Sequence, residues 1–496
     1  MTVIIKKIQQ SHTRTTLLYA ALAVVIGSMI GLLITGIKNP FFVLLAVGSL
    51  IVVVATVASV ELGLLLFVFI TYTRFSDVSI NLYNAPSVAK FFVGLLIVAI
   101  FIRWALLGER PEGWQVPAIV LGLYGLIGFL SLVYAESSES VLYTLSNYVK
   151  DALITLVVIA LLKRPPAFRH VIWMLLGIGI FLGTLGVFQY LTGTFSNNYG
   201  GFSQTVLKGI AGSASGYRLA GPIGDPNFFA QIMVVLIPIA IERMLHERKP
   251  LFKILAGLAG VLSTLTVIFT FSRGGFLAAV VALVALFIIY PPRPLQLAVI
   301  IGLGIVMFSF VPAIYFDRVL TLEDLLPNQS GRVDIRSDNS IQGRASQYLT
   351  AWVIFKENPL LGIGLNNFAY RYPEFSKEIG LAPSAGNRSL HSLYLEVLTE
   401  TGILGLSVFL FILWLSFRSM LSARRKFLES AQLEYAHLVT GLAIGFVGYL
   451  IAALFIHAAF PRYFYLLLGI IFSLPAIVEQ LRKDITSQAF RLNLQQ

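Results

Sequence analysis

Apolar blocks of about 20 residues recur along nearly the whole chain, and they limit its possible folds more than any other feature. A helix of that length, rising about 1.5 Å per residue, covers the roughly 30 Å hydrocarbon core of a bilayer. The blocks are continuously apolar rather than alternating, which excludes a transmembrane β-barrel. Only 12% of the 496 residues are charged and the mean hydropathy is +0.83, so a soluble globular domain is also excluded. The chain reads as an all-α polytopic membrane protein. Candidate spans lie at about 16–36, 40–57, 60–73, 87–107, 114–133, 139–162, 167–191, 225–243, 251–271, 274–290, 295–316, 391–417, 433–456 and 461–481. The second and third are hard to separate and can be read as a re-entrant pair, so the count is about 12–14. Lys6, Lys7 and Arg14 precede a first block of full span length, which reads as an uncleaved helix rather than a signal peptide.

The blocks stop between about 317 and 390, too long a break for an ordinary connection. Within it, Tyr348, Trp352 and Phe355 fall at helical spacing over Ser340–Glu357, and Phe368, Tyr372 and Phe375 do so over Leu365–Ser376. The expected organisation is a transmembrane bundle of about eleven spans over 1–316, a large, partly helical loop or cap over 317–390, and C-terminal transmembrane helices over 391–496. Lys163, Arg164 and Arg169 share one short loop, Arg243, Arg248, Lys249 and Lys253 another, and Arg418, Arg424, Arg425 and Lys426 a third. With fourteen spans all three lie on the same side as both termini, and the positive-inside rule makes that side cytoplasmic. The cap and the loop 192–224 then face outward. The net charge of +12 is explained by the same rule and needs no nucleic-acid partner.

The outward loop 192–224 carries Arg218 and runs into Asp225-Pro226-Asn227, a helix start with Asp225 as N-cap and Pro226 in the first turn. The N-terminus of that helix, with its free N–H groups and positive dipole end, is suited to an anion. Arg273, between two apolar blocks and beside Ser272, Gly274 and Gly275, falls on the same side. An arginine near hydrocarbon needs a partner, a polar cavity or a path to the interface, and no carboxylate is close in sequence. Two outward arginines with one outward helix start suit a diphosphate, whose oxygens accept forked guanidinium bonds. His12, His170, His246 and His437 fall inward, whereas His391 and His457 face outward. His391, where cap meets membrane, is open to a catalytic or a structural reading, and His457 reads as structural. Lys150 and Asp151 are charged residues in mid-span, available for a bridge or a substrate contact. Tyr394, Glu396 and Glu400 follow His391 on its helix, and either carboxylate is a weak candidate for orienting the imidazole. Cysteine is absent, the outward loops contain no Asp-x-Asp pair, and Glu323-Asp324 lacks a third ligand, so neither a metal nor a cofactor is expected. Nucleotide-binding loops and serine-nucleophile signatures are missing as well.

The run from Trp352 through K-E-N-P-L-L-G-I-G-L-N-N to Phe368, followed by H-S-L-Y-L-E-V-L-T-E-T-G-I-L-G from His391, resembles the O-antigen ligase and polymerase superfamily. The upstream G-D-P-N-F-F-A and F-S-R-G-G segments fit its pattern in the right order, and the likeness covers about residues 190–415. The resemblance implies a metal-independent, inverting glycosyltransferase of the bacterial inner membrane with its active site on the periplasmic face. It would move a glycan from a polyprenyl-diphosphate carrier to a lipid or glycan acceptor among the membrane lipids, as an O-antigen ligase or as a polymerase. Carried over by motif position, Arg218 and Arg273 would bind the diphosphate and His391 would serve the acceptor hydroxyl; from the residues themselves, Asn227 is a further candidate for the diphosphate, and Asp225, Lys150, Tyr394 and Glu396 are candidate supports. Some relatives have been labelled inorganic-carbon transporters. That alternative predicts broken helices and internal repeats about the bilayer midplane, where only Lys150–Asp151 offers a candidate.

Overall fold

The computed structural model describes residues 56, 59–109, 112–207, 216–294, 298, 302, 339–378, 390–457 and 462–493. The expected span at 16–36, most of those at 40–57 and 295–316, and the cap residues 317–338 and 379–389 lie outside the described residues. Fourteen helices and one small hairpin fall within them. They are α1 (Val60–Tyr72), α2 (Phe75–Tyr83), α3 (Val88–Leu107), α4 (Gln115–Leu130), α5 (Ser138–Leu161) and α6 (Pro165–Thr192). After the hairpin β1 (Gln204–Leu207) and β2 (Tyr217–Gly221) come α7 (Pro226–His246), α8 (Pro250–Phe269) and α9 (Arg273–Ile289). The cap supplies α10 (Asn339–Glu357) and α11 (Phe368–Glu378); α12 (Leu393–Glu429), α13 (Leu433–Ala452) and α14 (Arg462–Asn493) complete the chain.

Nine of these helices are long and apolar enough to cross a membrane. In addition α1 and α2 form a pair bent by 55°, and α9 is a shorter apolar helix. Together they account for the eleven expected spans at 60–73, 87–133, 139–290 and 391–481, so the all-α polytopic reading holds. Two boundaries differ from expectation. The basic segment from Arg418 to Lys426 is not a loop but the continuation of α12, because it contains no Gly or Pro to stop the helix and Arg425 pairs with Glu429 one turn on at 2.8 Å. The loop 192–224 contains the antiparallel hairpin, in which Val206 sits opposite Arg218 and Leu207 opposite Tyr217. Its strands carry Thr, Val, Leu and Tyr, residues that suit a pleated, half-buried surface.

α7 is the centre of the bundle. It is apolar all round, buried over most of its length, and packed by α6, α8, α9 and α13. Its N-terminus meets the hairpin, so the most firmly held helix carries the Asp225 start at one end of the bundle. The other end is closed by ion pairs: Arg169 with Glu247 at 2.9 Å and with Glu434, and Arg243 with Glu242 at 2.8 Å. Burial tends to raise the Glu247 carboxyl, but hydrogen bonds from Arg169 and the backbone of Arg248 hold it below the usual range.

The cap has its own apolar centre, built from Ala351, Ile354, Ile363, Phe368, Tyr372, Phe375 and Leu390. Trp352 is exposed instead, with the Phe355 ring tilted beside it at 5.5 Å and the Lys356 ammonium 5.8 Å from its ring. Between α10 and α11 the segment 359–368 lies on the bundle. Tyr134 donates to the Leu361 carbonyl at 2.8 Å, and the backbone N–H of Ser137 donates to Asn367 Oδ1 at 2.8 Å.

Candidate functional site

The helix start anticipated at Asp225 is formed as expected. Asp225 Oδ1 accepts the backbone N–H of Asn227 at 2.7 Å and of Phe228 at 3.2 Å, satisfying two of the donors that begin a helix. Arg218 comes to this start from β2. Its Nε donates to the Thr270 carbonyl at 2.8 Å and its Nη2 to Asn227 Oδ1 at 3.2 Å, and its side chain is buried. A guanidinium held at two points in one plane presents a fixed fork of donors. Thr270 belongs to the turn that delivers Arg273: Phe271 takes a left-handed conformation (φ 51°), and Ser272 Oγ accepts the Gly275 N–H at 3.2 Å to start α9. A bulky residue is rarely found in that backbone region, and such outliers gather at binding sites. Arg218 and Arg273 are thus connected through four consecutive residues of one turn.

His391 enters from the other side. Its carbonyl accepts the Tyr348 hydroxyl at 2.8 Å and its N–H meets Gln347 Oε1 at 3.4 Å, so cap helix α10 fixes its backbone. The next turn is tied to the connection after α13, where Leu393 N–H donates to the carbonyls of Ala453 and Ile456 at 3.0 Å. That connection brings in His457, whose ring centroid is 5.7 Å from that of His391 and 5.1 Å from that of Phe228, the residue next to Asn227. Phe455, two residues before His457, packs so closely on Gly274 that an added Cβ there would sit 2.9 Å from it. Arg218, Asp225, Asn227, Arg273 and His391 therefore form one cluster at one end of the bundle, joined through His457.

Burial pushes the His457 imidazole below its usual pKa, with Asp225 opposing the shift. Its Nδ1 is buried without a hydrogen-bond partner among the described residues. The sequence gives His457 only a structural reading on the same expected side as His391, marks Tyr348 only as one of the helically spaced aromatics, and carries no signal for Gln347.

The remaining candidates sit elsewhere. Tyr394 donates to the Leu450 carbonyl at 2.9 Å and so clamps α12 to α13. Glu400 accepts the N–H groups of Asn366 at 2.7 Å and Phe368 at 3.4 Å, which caps α11 and fixes the cap to α12. Glu396 stands one turn before Glu400, with Oε2 buried and unbonded among the described residues. Lys150 is on the exposed face of α5, its Nζ 3.1 Å from Asn147 Oδ1. Its neighbour Asp151 points inward to Arg462 at 4.0 Å, and Arg462 in turn grips both oxygens of Asp77 at 2.8 Å. That network supplies the mid-span carboxylate with a structural counter-charge.

No carboxylate cluster with metal-ligand spacing accompanies the arginines and histidines among the described residues. The arrangement gathers cationic and N–H donors for an anion and places imidazoles beside them, in a position to take a proton. Residues 258–410 match the family model described as O-Antigen ligase. The match includes Arg273, the cap and His391, whereas Arg218, Asp225 and Asn227 precede it and His457 follows it. No curated protein matches the chain.

Proposed function

We propose that this chain, whose residues 258–410 match the O-Antigen ligase family model, transfers a glycan from a polyprenyl-diphosphate carrier to an acceptor hydroxyl. The reaction would take place on the outward, periplasmic side of the bacterial inner membrane. The observation that carries this reading is the convergence of Arg218, Asn227, the Asp225 helix start, Arg273 and His391 at one end of the bundle. The diphosphate would lie against the two guanidiniums and the start of α7, where its growing negative charge as it leaves meets donors already in place. The acceptor oxygen attacks the anomeric carbon from the opposite side as the bond to the diphosphate oxygen breaks, which inverts the centre. His391 takes the hydroxyl proton. The carrier is already activated, so no nucleotide takes part. The lipid tail accounts for a site built among membrane helices, and the exposed Trp352 and polar surface of the cap offer a bed for sugar. We favour a ligase-type acceptor, with a polymerase as the nearest alternative.

The test is transfer by the purified chain in liposomes, with a polyprenyl-diphosphate oligosaccharide as donor and candidate acceptors added separately. Product mass and released polyprenyl diphosphate are measured. His391→Ala is expected to lower the rate about 10²–10⁴-fold, the range for loss of a general base. Arg273→Ala is expected to cost about 10²–10³-fold, as for loss of one electrostatic donor. A product longer by whole repeats would mean a polymerase. Normal turnover by Arg273→Ala would refute the diphosphate assignment, and solute uptake without transfer would turn the function to transport.

A further inference from the structure

At the end of α7 remote from Asp225, three side chains from two helices aim their donor atoms at one point. Glu242 and His246 are one turn apart on α7, and His437 lies in the first turn and a half of α13. Glu242 Oε1 is 3.2 Å from His246 Nδ1 and 3.6 Å from His437 Nδ1, and the three ligand atoms all lie within 4.8 Å of one another. The imidazole rings stand nearly perpendicular, at 87°, with centroids 3.8 Å apart. The Tyr290 ring, just past α9, packs 4.7 Å from His246 and 5.3 Å from His437.

Hydrogen bonding accounts for only part of this. His246 Nδ1 is 3.1 Å from the Glu242 carbonyl, an ordinary contact between helical neighbours that is given up when the ring proton moves to Nε2 and frees Nδ1 to ligate. His437 Nδ1 has no such explanation: the atom is buried and lacks a hydrogen-bond partner among the described residues, and 3.6 Å to the carboxylate is too long for one. Two donors bound to a tetrahedral ion at about 2.0–2.1 Å stand about 3.3 Å apart, close to both separations seen here. Glu242 is fully buried and accepts two 2.8 Å bonds from Arg243, one on each oxygen. Each carboxylate oxygen keeps a second lone pair, so Arg243 fixes the group without using up its ability to ligate. The two imidazoles are partly exposed, at 28% and 21%, which gives an ion a way in. Around them, Arg169, Glu247 and Glu434 complete the ion network, and Arg424 bonds Thr440 one turn beyond His437 at 2.9 Å.

We propose that Glu242, His246 and His437 bind a divalent ion of the zinc class, at the opposite end of the bundle from the transfer site. Two imidazoles and one carboxylate are a donor set for a borderline ion such as zinc or cobalt rather than for magnesium or calcium, which prefer oxygen. The ion would tie the far end of α7 to α13 and so hold the helix that presents the anion site. It takes no part in the transfer chemistry, and the site stands whether or not the transferase reading does.

The experiment uses the untagged full chain in detergent, stripped with a chelator, loaded with zinc(II) or cobalt(II) alone and dialysed. One equivalent of metal per chain is expected, with the visible ligand-field absorption of low-coordinate cobalt. His246→Gln/His437→Gln should lose that equivalent, while His170→Gln, a histidine of the same end but outside the cluster, should keep it. Native chain that retains less than about a tenth of an equivalent would overturn the site, leaving a plain hydrogen-bonded ion cluster, since a zinc site of this kind binds stoichiometrically. Retention by a folded double variant would overturn it as well. Should the double variant elute as aggregate, X-ray absorption of the zinc-loaded native chain decides: scattering from two imidazoles supports the site, and its absence refutes it.

Discussion

Arg218 shows how a buried charge is kept in a membrane protein without a carboxylate beside it in sequence. Its bonds to the Thr270 carbonyl and Asn227 Oδ1 are charge-assisted, and such bonds recover much of what is lost when a guanidinium leaves water. Lysine has no such fork, so the position depends on arginine geometry as well as on charge. His391 and His457 pose the complementary problem. Two imidazolium charges 5.7 Å apart would repel by about 3 kcal/mol at an effective dielectric of about 20, so a neutral His457 leaves its neighbour able to accept a proton. Burial already holds His457 below the ordinary imidazole range, with Asp225 only partly offsetting it. Because the folded-state pKa is the lower one, the unfolded chain takes up the proton first as pH falls. The contribution of His457 to stability is therefore complete above about pH 6.5 and is lost as pH falls through the folded pKa. Thermal unfolding followed across about pH 5–7 should show a steeper acid-side decline for the native chain than for His457→Gln. Parallel curves would remove His457 as the titrating group.

Among the elements, α12 links cap and bundle, and it does so through a break. Gly402 has φ 63° and ψ −167°, a region essentially reserved for glycine. The interruption frees the carbonyls of Thr399 and Glu400, which accept the N–H groups of Ile363 at 3.1 Å and Gly364 at 2.9 Å, while Ile403 N–H donates to the Pro359 carbonyl at 2.8 Å. The cap segment thus pairs with an opened turn of helix. A Cβ on Gly402 would stand 2.3 Å from the Leu360 carbonyl oxygen, and one on Gly362 would stand 2.5 Å from the Thr399 carbonyl oxygen. Gly402→Ala is expected to cost at least about 1–3 kcal/mol from the backbone alone, and to lower the unfolding midpoint and the yield. Gly94→Ala, in α3 with open space around it, should be neutral or stabilising by up to about 1 kcal/mol. Equal behaviour of the two variants would mean that the break is dispensable. Sequence reasoning found the helix but not its break, because a single glycine in an apolar run usually sits inside an intact helix. The hairpin was missed for a related reason: its strands are four and five residues long, too short for alternation to stand out in a Gly- and Ser-rich loop.

At the scale of the molecule, the apolar blocks made the spans legible, and the basic loops divided them between two sides. That division picked out Arg218, Asp225, Arg273 and His391 before any geometry was known. It did not show that His391 meets His457 at one end of the bundle, or that Gln347 and Tyr348 hold its backbone, because those contacts join segments far apart in the chain. It equally missed the convergence of Glu242, His246 and His437, for which two helices must first be packed side by side. The division itself is open to a direct test, since the chain has no cysteine and every introduced thiol reports alone. Ser196, before the hairpin, and Lys249, between α7 and α8, are both exposed, and among the described residues between them only α7 is long enough to cross the membrane. Its 21 residues span about 31 Å. In sealed cells a membrane-impermeant maleimide should therefore label Ser196→Cys, but label Lys249→Cys only after the membrane is opened, as the positive-inside rule requires of the basic loop. Lys377→Cys, exposed on α11, should behave like Ser196→Cys if the chain crosses once more between α9 and the cap. Labelling of Ser196→Cys and Lys249→Cys from the same side would mean that α7 does not traverse the membrane, and the arginines and His391 would lose the common outward face that the proposed transfer requires.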